Sequence, residues 1–226
     1  MGEGLGTHDE HEVGVHAHEP LAHDAHLRPW HRLLPAGLAE TVWAASMTLG
    51  RGAAARVVAD VAVVGAADRV VDVGCGPGTA VRVAARRGAR ATGVDPSPAM
   101  LGLARWITTL ARTSGVAFLE GGAESLPLES GTATIVWALA SEHHWRDRAA
   151  GLTEARRVLV PGGRVLIAER AVTPGATGHA RHGLTDAKAD ELAHAMTRAG
   201  FAGVTCVRRR ARRRNLVIVS ARSTGR

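Results

Sequence analysis

Aromatic residues are scarce in this sequence, and tyrosine is absent. Only 3% of the 226 residues are aromatic. Proteins that hold single-stranded nucleic acid stack its bases on aromatic rings, so most platforms for such binding are missing. The absence of tyrosine also excludes a tyrosine–lysine proton donor of the dehydrogenase type. The composition therefore argues against both of these classes of function.

Cysteine is nearly absent too, with Cys75 and Cys206 as the only two. They provide neither a disulfide framework nor a zinc-binding spacing. No window contains the roughly 18 consecutive apolar residues of a membrane-spanning helix. The N-terminus is acidic and histidine-rich rather than basic and then apolar, unlike a signal peptide. We therefore expect a cytoplasmic protein without a membrane span.

Lysine is replaced almost entirely by arginine, since Lys188 is the only lysine in a chain with a net charge of +7. Six arginines fall within residues 208–214 and form a concentrated positive patch. Such a patch suits the phosphate groups of nucleic acid or an anionic membrane. The alternative is a solvated hairpin in a protein whose arginine content reflects the composition of its genome.

The first 27 residues differ in composition from the rest, because histidines are mixed with acids and there is little hydrophobic periodicity. Such a segment buries too little apolar surface to offset the entropy of ordering, which predicts disorder. A second interpretation is a metal site, since histidine-rich tracts collect zinc, nickel or copper. Its candidate ligands are His8, His11, His16 and His18. Residues 28–226 are predicted to form one domain.

Three glycines at alternate positions, Gly74, Gly76 and Gly78, follow an apolar run at residues 70–73. With the residues after them, they predict a buried strand, a tight turn and a helix. Without a Cβ, each glycine permits a positive φ and lets a ligand lie against the backbone. Such turns hold nucleotide-like ligands at the carboxyl edge of a parallel sheet. Steric needs of the turn alone are the other explanation.

Two carboxylates accompany this turn. Asp72 lies inside the apolar run, where a carboxylate is costly unless it is hydrogen-bonded. Asp95 ends the next predicted strand, residues 90–95, and follows Gly78 by 17 residues. A carboxylate at that place can accept hydrogen bonds from both hydroxyls of a ribose. The combination favours a nucleoside ligand over a purely steric role for the glycines.

Four motifs in this order resemble class I S-adenosylmethionine (SAM) methyltransferases, in particular the small-molecule branch with the quinone-biosynthesis type enzymes (methyltransferase type 11). They are residues 70–79, 92–97, 121–128 and 154–163. The resemblance implies a Rossmann-like α/β/α sandwich with a seven-stranded, mostly parallel sheet and an antiparallel C-terminal strand. It also implies that residues 28–52 form lid helices over the substrate. Trp30 and Trp43 would then line a pocket or pack in the core.

The resemblance implies SAM as the cofactor. The glycines would hold the methionine portion, Asp72 would brace the turn near the amino group, and Asp95 would hold the ribose. The turn at 121–125 would face the adenine, although Gly122 stands where the family often has an aspartate acceptor. Cys75 is interpreted as a small apolar filler of the turn. The implied cofactor-binding residues are Asp72, Gly74, Cys75, Gly76, Gly78, Asp95, Pro96, Ala123, Glu124 and Ala138.

Residues 141–145 follow a predicted fourth strand at 132–139 and reach the same sheet edge. Strand ends at that edge face the ligand crevice, so we expect the acceptor chemistry there. His143, His144 or Glu142 is the candidate base that takes a proton as the methyl group moves. The alternative is that this stretch only packs the loop and that positioning supplies the catalysis.

The C-terminal part is predicted to complete the sheet. Residues 161–163 predict a turn, and residues 164–169 predict a fifth strand. A helix is expected to begin at a Thr185 cap and to end at Gly200. Strands at 201–207 and 215–220 then form an antiparallel pair, joined by the arginine-rich residues 208–214.

The implied function is transfer of a methyl group from SAM to a small-molecule acceptor by in-line displacement, without a metal. One alternative is an RNA methyltransferase that uses the arginines at 208–214. A second is a non-catalytic SAM-binding protein, suggested by Gly122 and by the lack of an unmistakable base. A nicotinamide-dependent dehydrogenase is disfavoured, because the turn is Gly-x-Gly-x-Gly rather than Gly-x-Gly-x-x-Gly.

Overall fold

Helices and strands alternate along the part of the chain that the structure describes. The computed structural model describes residues 51–178 and 182–224, together with Met1. In chain order the elements are α1 (Arg51–Val61), β1 (Arg69–Val73), α2 (Thr79–Ala85), β2 (Arg90–Asp95), α3 (Pro98–Leu110), β3 (Val116–Glu120), β4 (Ala133–Leu139), a 3-10 turn (Glu142–His144), α4 (Arg148–Val158), β5 (Leu159–Arg170), α5 (Asp186–Arg198), β6 (Phe201–Ala211) and β7 (Arg214–Ser223).

The strands form one seven-stranded sheet in the order β3-β2-β1-β4-β5-β7-β6. β1 to β5 pair in parallel, whereas β7 runs antiparallel to both β5 and β6. The predicted mostly parallel sheet with an antiparallel C-terminal strand is therefore confirmed. The strand order reverses between β1 and β4. In sheets of this type the ligand crevice opens at the carboxyl ends of the strands at that reversal.

Helices cover both faces of the sheet. Along β4, Ile135 and Trp137 belong to one cluster of buried side chains, whereas Val136 and Ala138 belong to the other. This alternation is the two-residue period of a strand. Residues of α1 and α2 complete the first cluster, and residues of α4 and α5 complete the second. Because β4 is buried on both faces, its sequence is a continuous apolar run.

Local side chains cap the starts of α4 and α5. The Thr185 hydroxyl accepts the N–H of Lys188 at 3.3 Å, which confirms the predicted cap of α5. The Asp147 carboxylate likewise accepts the N–H groups of Ala149 and Ala150 at the start of α4. These bonds satisfy amide groups that have no partner within the helix.

β5 begins earlier than the sequence indicates. Residues 161–163 were expected to form a turn before the strand, but Leu159 already pairs with Ala133 of β4. The register then shifts, so that Ile135 pairs with Arg164. The glycine-containing residues 161–163 are accommodated as an irregularity within the strand, with Gly162 at a φ of +76°. A local glycine signal does not distinguish such a bulge from a turn.

The arginine-rich residues 208–214 lie mostly in strands, which corrects the prediction that they form the connection. β6 continues to Ala211 and β7 starts at Arg214, with Ala211 paired to Arg214. The turn is reduced to Arg212 and Arg213, and Arg212 has a φ of +55°. Exposed arginines on a strand keep their charged ends in water while their backbones pair, so charge did not interrupt the strands.

Several predictions made from the sequence lie outside the described residues. They concern the histidine-rich residues 1–27, including His8, His11, His16 and His18, and the lid helices with Trp30 and Trp43. Of the range 28–52, the structure describes Arg51 and Gly52, which begin α1. Among the helices that the structure describes, none has the length and apolarity to cross a membrane.

Candidate active site

The turn between β1 and α2 has three glycines in the left-handed region. Their φ angles are +71° at Gly74, +51° at Gly76 and +72° at Gly78, values that residues with a Cβ rarely adopt. The N–H groups of Gly74 and Cys75 donate to the Val94 carbonyl at 2.8 and 3.1 Å. These bonds tie the turn to the end of β2. The glycine spacing thus reflects a backbone conformation that the turn requires.

Gly74 also permits a close approach to the residue that follows β4. A Cβ at Gly74 would lie 2.5 Å from the Cβ of Ser141. The Ser141 hydroxyl donates to the Val73 carbonyl at 2.6 Å, so the carboxyl ends of β1 and β4 are fastened together. Ala140, one residue earlier, has a φ of +53°, which is strained for a residue with a Cβ. Backbone strain is thus placed at the sheet edge where a ligand is expected.

Asp95 holds the glycine turn from the end of β2. Its carboxylate accepts the N–H of Gly76 at 2.7 Å and the N–H of Ser97 at 3.0 Å. Burial raises the pKa of Asp95, and these two hydrogen bonds oppose the rise. A carboxylate oxygen has two acceptor sites, so each oxygen keeps one for a ribose hydroxyl. The ribose contact stays a prediction, and holding the turn is a second role that the sequence did not indicate.

Asp72 is buried at the end of β1 and is only 2% exposed. Burial raises its pKa to about 7, and the negative charge of Asp95 acts in the same direction. The guanidinium of Arg51 and the indole of Trp137 oppose the rise. Burial lowers the pKa of Arg51, and the negative charges of Glu169 and Asp72 oppose this decrease. One guanidinium and two carboxyl groups therefore share a desolvated region beside the glycine turn.

A cavity of about 110 Å³ lies in this region. Its wall comes from α1, the glycine turn, the ends of β4 and β5, and the start of β7. Ligand pockets are typically about 300–1,000 Å³, so this volume suits one end of a cofactor rather than the whole molecule. The charged and hydroxyl side chains in its lining are Arg51, Asp72, Thr79, Glu169, Arg170 and Arg214.

The residues around this cavity fit the amino-acid end of SAM. The ammonium group of SAM would lie near the carboxyl groups of Asp72 and Glu169. The carboxylate of SAM would accept hydrogen bonds from donors such as the Arg51 guanidinium. The buried Thr79 hydroxyl has no hydrogen-bond partner among the described residues, so it is available to a ligand. Among the described residues, a Cβ at Gly76 would meet only Arg51 Nη1, at 3.8 Å. The turn is thus open to close approach at Gly76.

The turn expected to face the adenine is a short bridged loop. Gly122 and Ser125 form an isolated antiparallel bridge, and Ala123 is buried. Oε1 of Glu124 accepts the N–H groups of Arg146 and Asp147, at 2.6 and 3.2 Å. Since Oε1 is committed to the start of α4, a contact from Glu124 to adenine depends on its other oxygen.

His143 is joined to a buried carboxyl group. Its Nδ1 lies 3.0 Å from Oε1 of Glu169, whose side chain is 2% exposed. Burial raises the pKa of Glu169, and the hydrogen bond with His143 opposes the rise. The ring centroid of His143 lies 4.1 Å from that of His144 and 5.0 Å from that of His182. The structure therefore places a histidine–carboxyl pair at the carboxyl edge of β4 and β5.

The pair formed by His143 and Glu169 connects two cavities. Glu169 lines the one beside the glycine turn. His143 lines a second cavity of about 280 Å³, together with Arg148, His182 and Lys188. The hydrogen-bonded pair thus faces both parts of the crevice.

The other candidate bases have different surroundings. Glu142 is buried and forms an ion pair with Arg148. His144 is exposed to solvent. The structure therefore brings Glu142 and His143 to the sheet edge with a partner each, while His144 lies outside the cavity lining.

The remaining predicted cofactor residues are divided between core and surface. Ala138 is buried in the cluster that α4 and α5 cover. The next two residues in the chain, Leu139 and Ala140, line the cavity instead. Pro96 is exposed beside Asp95. Cys75 is buried, and burial raises the pKa of its thiol well above the usual range. A thiol in that state is a poor nucleophile, which agrees with the filler interpretation.

Several residues of the site were given no individual role from the sequence, among them Arg51, Ser141 and Glu169. For Glu169 a signal existed, because it is a single acid at the end of an apolar strand, as Asp72 and Asp95 are. Arg51 and Ser141 have no comparable pattern. Among the described residues, no group of three or more histidine, cysteine, aspartate or glutamate side chains could hold a metal ion.

Comparison with known proteins shows that this chain is similar to methyltransferases. Residues 71–167 match the family model described as a methyltransferase domain. The chain is 35% identical over 115 residues to the 27-O-demethylrifamycin SV methyltransferase of Amycolatopsis mediterranei, covering 50% of this chain and 42% of that protein. It is 37% identical over 102 residues to the demethylmenaquinone methyltransferase of Chlorobaculum tepidum, covering 45% of this chain and 40% of that protein.

The fold matches as well. A SAM-dependent methyltransferase from Aquifex aeolicus superposes with a TM-score of 0.64 at 15% sequence identity, covering 75% of this chain and 89% of that one. The chain spans less than half the length of the two curated relatives named above. The motif order, the strand order and the family match agree with one another. Residues 71–167 therefore match a methyltransferase domain, and the fold is that of a SAM-dependent methyltransferase.

Proposed function

We propose that this chain transfers a methyl group from SAM to a hydroxyl group of a small molecule, with His143 as the general base and Glu169 as its positioning residue. The observation that carries the proposal is the 3.0 Å contact between His143 Nδ1 and Glu169 Oε1 at the edge that also bears the glycine turn. The names of the relatives support a small-molecule acceptor, since they refer to a rifamycin and a menaquinone compound.

In the proposed reaction His143 donates its Nδ1–H to Glu169, which leaves Nε2 as the acceptor. Nε2 takes the proton of the acceptor hydroxyl as the new O–C bond forms, and the Glu169 carboxylate stabilises the resulting imidazolium. When bound, SAM supplies an electrophilic methyl group that leaves a neutral thioether behind. The bond from Ser141 to Val73 sets the separation of the glycine turn and His143, so positioning lowers the barrier further.

The neighbouring residues have supporting roles in this proposal. Asp72, Arg51 and Thr79 hold the amino-acid end of SAM, and Asp95 holds the ribose. Glu142 orients the loop through its ion pair with Arg148. The exposed His144 serves as the matched comparison for His143, because it is an adjacent histidine outside the cavity lining.

The test is release of S-adenosylhomocysteine (SAH) by the full-length protein with SAM and a panel of phenols, hydroquinones and aliphatic alcohols. We expect turnover with at least one acceptor. His143→Gln is expected to lower kcat about 100-fold or more while SAM affinity changes less than about twofold. Glu169→Gln is expected to lower kcat less and to alter the pH profile, and His144→Gln is expected to resemble the wild type.

Two outcomes contradict this assignment. One is SAM binding without SAH release for any member of the panel, which favours a non-catalytic SAM-binding protein. The other is a His143→Gln variant with wild-type kcat and an unchanged pH profile, which leaves positioning alone as the source of catalysis.

We also propose a cytoplasmic location. Both described cysteines are free thiols, and Cys206 is exposed. Exposed thiols persist in the reducing environment of the cytoplasm, whereas oxidising compartments favour disulfides. Fractionation of cells that express the tagged chain should recover it with cytoplasmic markers, and recovery with membrane or secreted fractions would contradict the proposal.

A further inference from the structure

Two arginines lie side by side at the mouth of the cavity beside the glycine turn. Arg170 ends β5 and pairs in register with Leu216 of β7, and Arg214 lies two residues before Leu216. Since side chains two residues apart on a strand share a face, both arginines lie on the face of Ala168 and Leu216. Both line the cavity, and both are exposed to solvent.

Neither Arg170 nor Arg214 forms an ion pair with any part of the chain that the structure describes. Other arginines do find carboxylates: Arg148 pairs with Glu142, and Arg157 pairs with Glu154. Two guanidinium groups on one rim repel each other, and a carboxylate or phosphate between them would relieve that repulsion. The planar guanidinium fork matches these two anions in particular.

The acids of the same cavity lie deeper. Asp72 and Glu169 are each 2% exposed, and both act electrostatically on the half-buried Arg51. Glu169 is also hydrogen-bonded to His143. The cavity thus has carboxyl groups at its floor and cations at its mouth. Because the floor is assigned to the amino-acid end of SAM, the cations at the mouth are left for the anionic end of a second ligand.

We propose that the methyl acceptor carries an anionic oxygen group, a carboxylate or a phosphate, that Arg170 and Arg214 bind at the cavity mouth. This inference rests on the proposed methyl transfer and specifies the class of its substrate. Bound in this way, the anionic end lies in the exposed mouth, and the hydroxyl end is directed toward His143, which contacts Glu169 and lines the second cavity. The same cations also raise the rate of encounter with an anionic acceptor.

The experiment is calorimetric titration of the full-length protein saturated with SAH, so that no turnover occurs. The probes are 4-hydroxybenzoate, phenyl phosphate and the neutral 4-hydroxybenzamide. We expect at least one anionic probe to bind about tenfold more tightly than the amide. The tighter of the two anions then distinguishes a carboxylate site from a phosphate site. Raising the salt concentration is expected to weaken binding of the anions but not of the amide.

Variants separate the two cavity arginines from the general charge of the hairpin. Arg170→Gln and Arg214→Gln are each expected to weaken binding of the preferred anion about fivefold or more. Arg213→Gln removes the same charge from the same hairpin, but Arg213 is an exposed turn residue outside the cavity lining. The affinity of the Arg213→Gln variant for the anion should stay within about twofold of the wild type. Two independent cavity variants keep the test valid if one of them fails to fold.

The outcomes that overturn the inference are distinct from failure of the methyl-transfer proposal. If SAM binds and the amide binds as tightly as both anions, the anion site is wrong while the cofactor assignment stands. An equal loss in Arg213→Gln would mean that only the overall charge matters. Weaker SAM binding in Arg214→Gln would assign the arginines to the cofactor's own carboxylate and overturn the inference.

Discussion

Gly74 shows how a missing Cβ shapes the crevice at the scale of one residue. A Cβ there would lie 2.5 Å from that of Ser141, and the φ of +71° disfavours any side chain. Gly74→Ala is therefore expected to lower the free energy of unfolding by at least about 2 kcal/mol and to weaken SAM binding. Chemical denaturation followed by circular dichroism measures the first effect, and calorimetry the second.

Gly102 provides the matched control for that substitution. It lies within α3, and a Cβ added there meets no atom of the described residues within 4 Å. Gly102→Ala should raise the free energy of unfolding by about 0.5–1 kcal/mol, because alanine loses less backbone entropy in a helix. A Gly74→Ala variant as stable as the wild type would contradict the close contact between the ends of β1 and β4.

Asp72 predicts a dependence of stability on pH. Its pKa is raised to about 7 by burial, against about 3.9 in the unfolded chain. The folded protein keeps this proton over a range where the unfolded chain has lost it. The contribution of Asp72 to stability is therefore fully present below about pH 4 and is lost as the pH rises through about 7. We expect the Tm of the wild type to fall by several degrees between pH 5.5 and 8.

Asp72→Asn is expected to make that dependence of Tm shallower. Part of the slope should persist, because burial also raises the pKa values of Asp95 and Glu169. SAM affinity should change in the opposite sense and increase as Asp72 ionises, since its carboxylate would face the cofactor's ammonium. A slope in Asp72→Asn equal to that of the wild type would contradict the assignment to Asp72.

At the scale of elements, Glu124 joins the predicted adenine turn to α4. Its Oε1 accepts two N–H groups at the start of that helix, where a negative charge is favourable. Glu124→Gln is expected to lower the free energy of unfolding by about 1 kcal/mol and to change SAM affinity by less than about twofold. Glu129→Gln removes an exposed acid nearby and should leave both quantities unchanged. A tenfold loss of SAM affinity without loss of stability would instead support a direct adenine contact.

The strands and helices could be predicted wherever a local pattern decides the structure. β2, β3 and β4 agree with the predicted ranges to within a residue, because apolar runs and turn residues bound them. The start of β5 could not be predicted in this way, because Leu159 belongs to the strand through its pairing with Ala133 of β4. The arginines of β6 and β7 likewise lie in strands because their backbones pair across the hairpin, and not because arginine itself favours a strand.

The local geometry of the candidate site could be predicted where one short motif determines it, while the contacts with the cofactor stay predictions. The glycine turn and Asp95 are such cases, and the structure adds the hydrogen bond from Gly76 to Asp95 between them. The pairing of His143 with Glu169 depends instead on two strands. Ala138 pairs with Ile167, so the residues after β4 come beside the end of β5. A contact between residues 26 positions apart needs this register, which no local pattern supplies.

At the scale of the whole molecule, the fold gathers groups from distant parts of the sequence at one edge of the sheet. The glycine turn, Asp95, the loop after β4 and the end of β5 all lie at carboxyl ends of parallel strands. The antiparallel β7 brings Arg214 to the same edge, because its first residues pair beside the last residues of β5. Two exposed arginines, Arg170 and Arg214, thus line the cavity at this edge.

The central claim, that the crevice at this edge binds SAM, is tested most directly by calorimetric titration of the full-length protein with SAM and, separately, with NADH. We expect a SAM dissociation constant of about micromolar order and no binding of NADH. Asp95→Ala, checked for folding by circular dichroism, should weaken SAM binding at least about tenfold, or about 1.4 kcal/mol. An absence of SAM binding would contradict the choice of cofactor, and equal affinity in the folded Asp95→Ala variant would show that the cofactor site lies elsewhere.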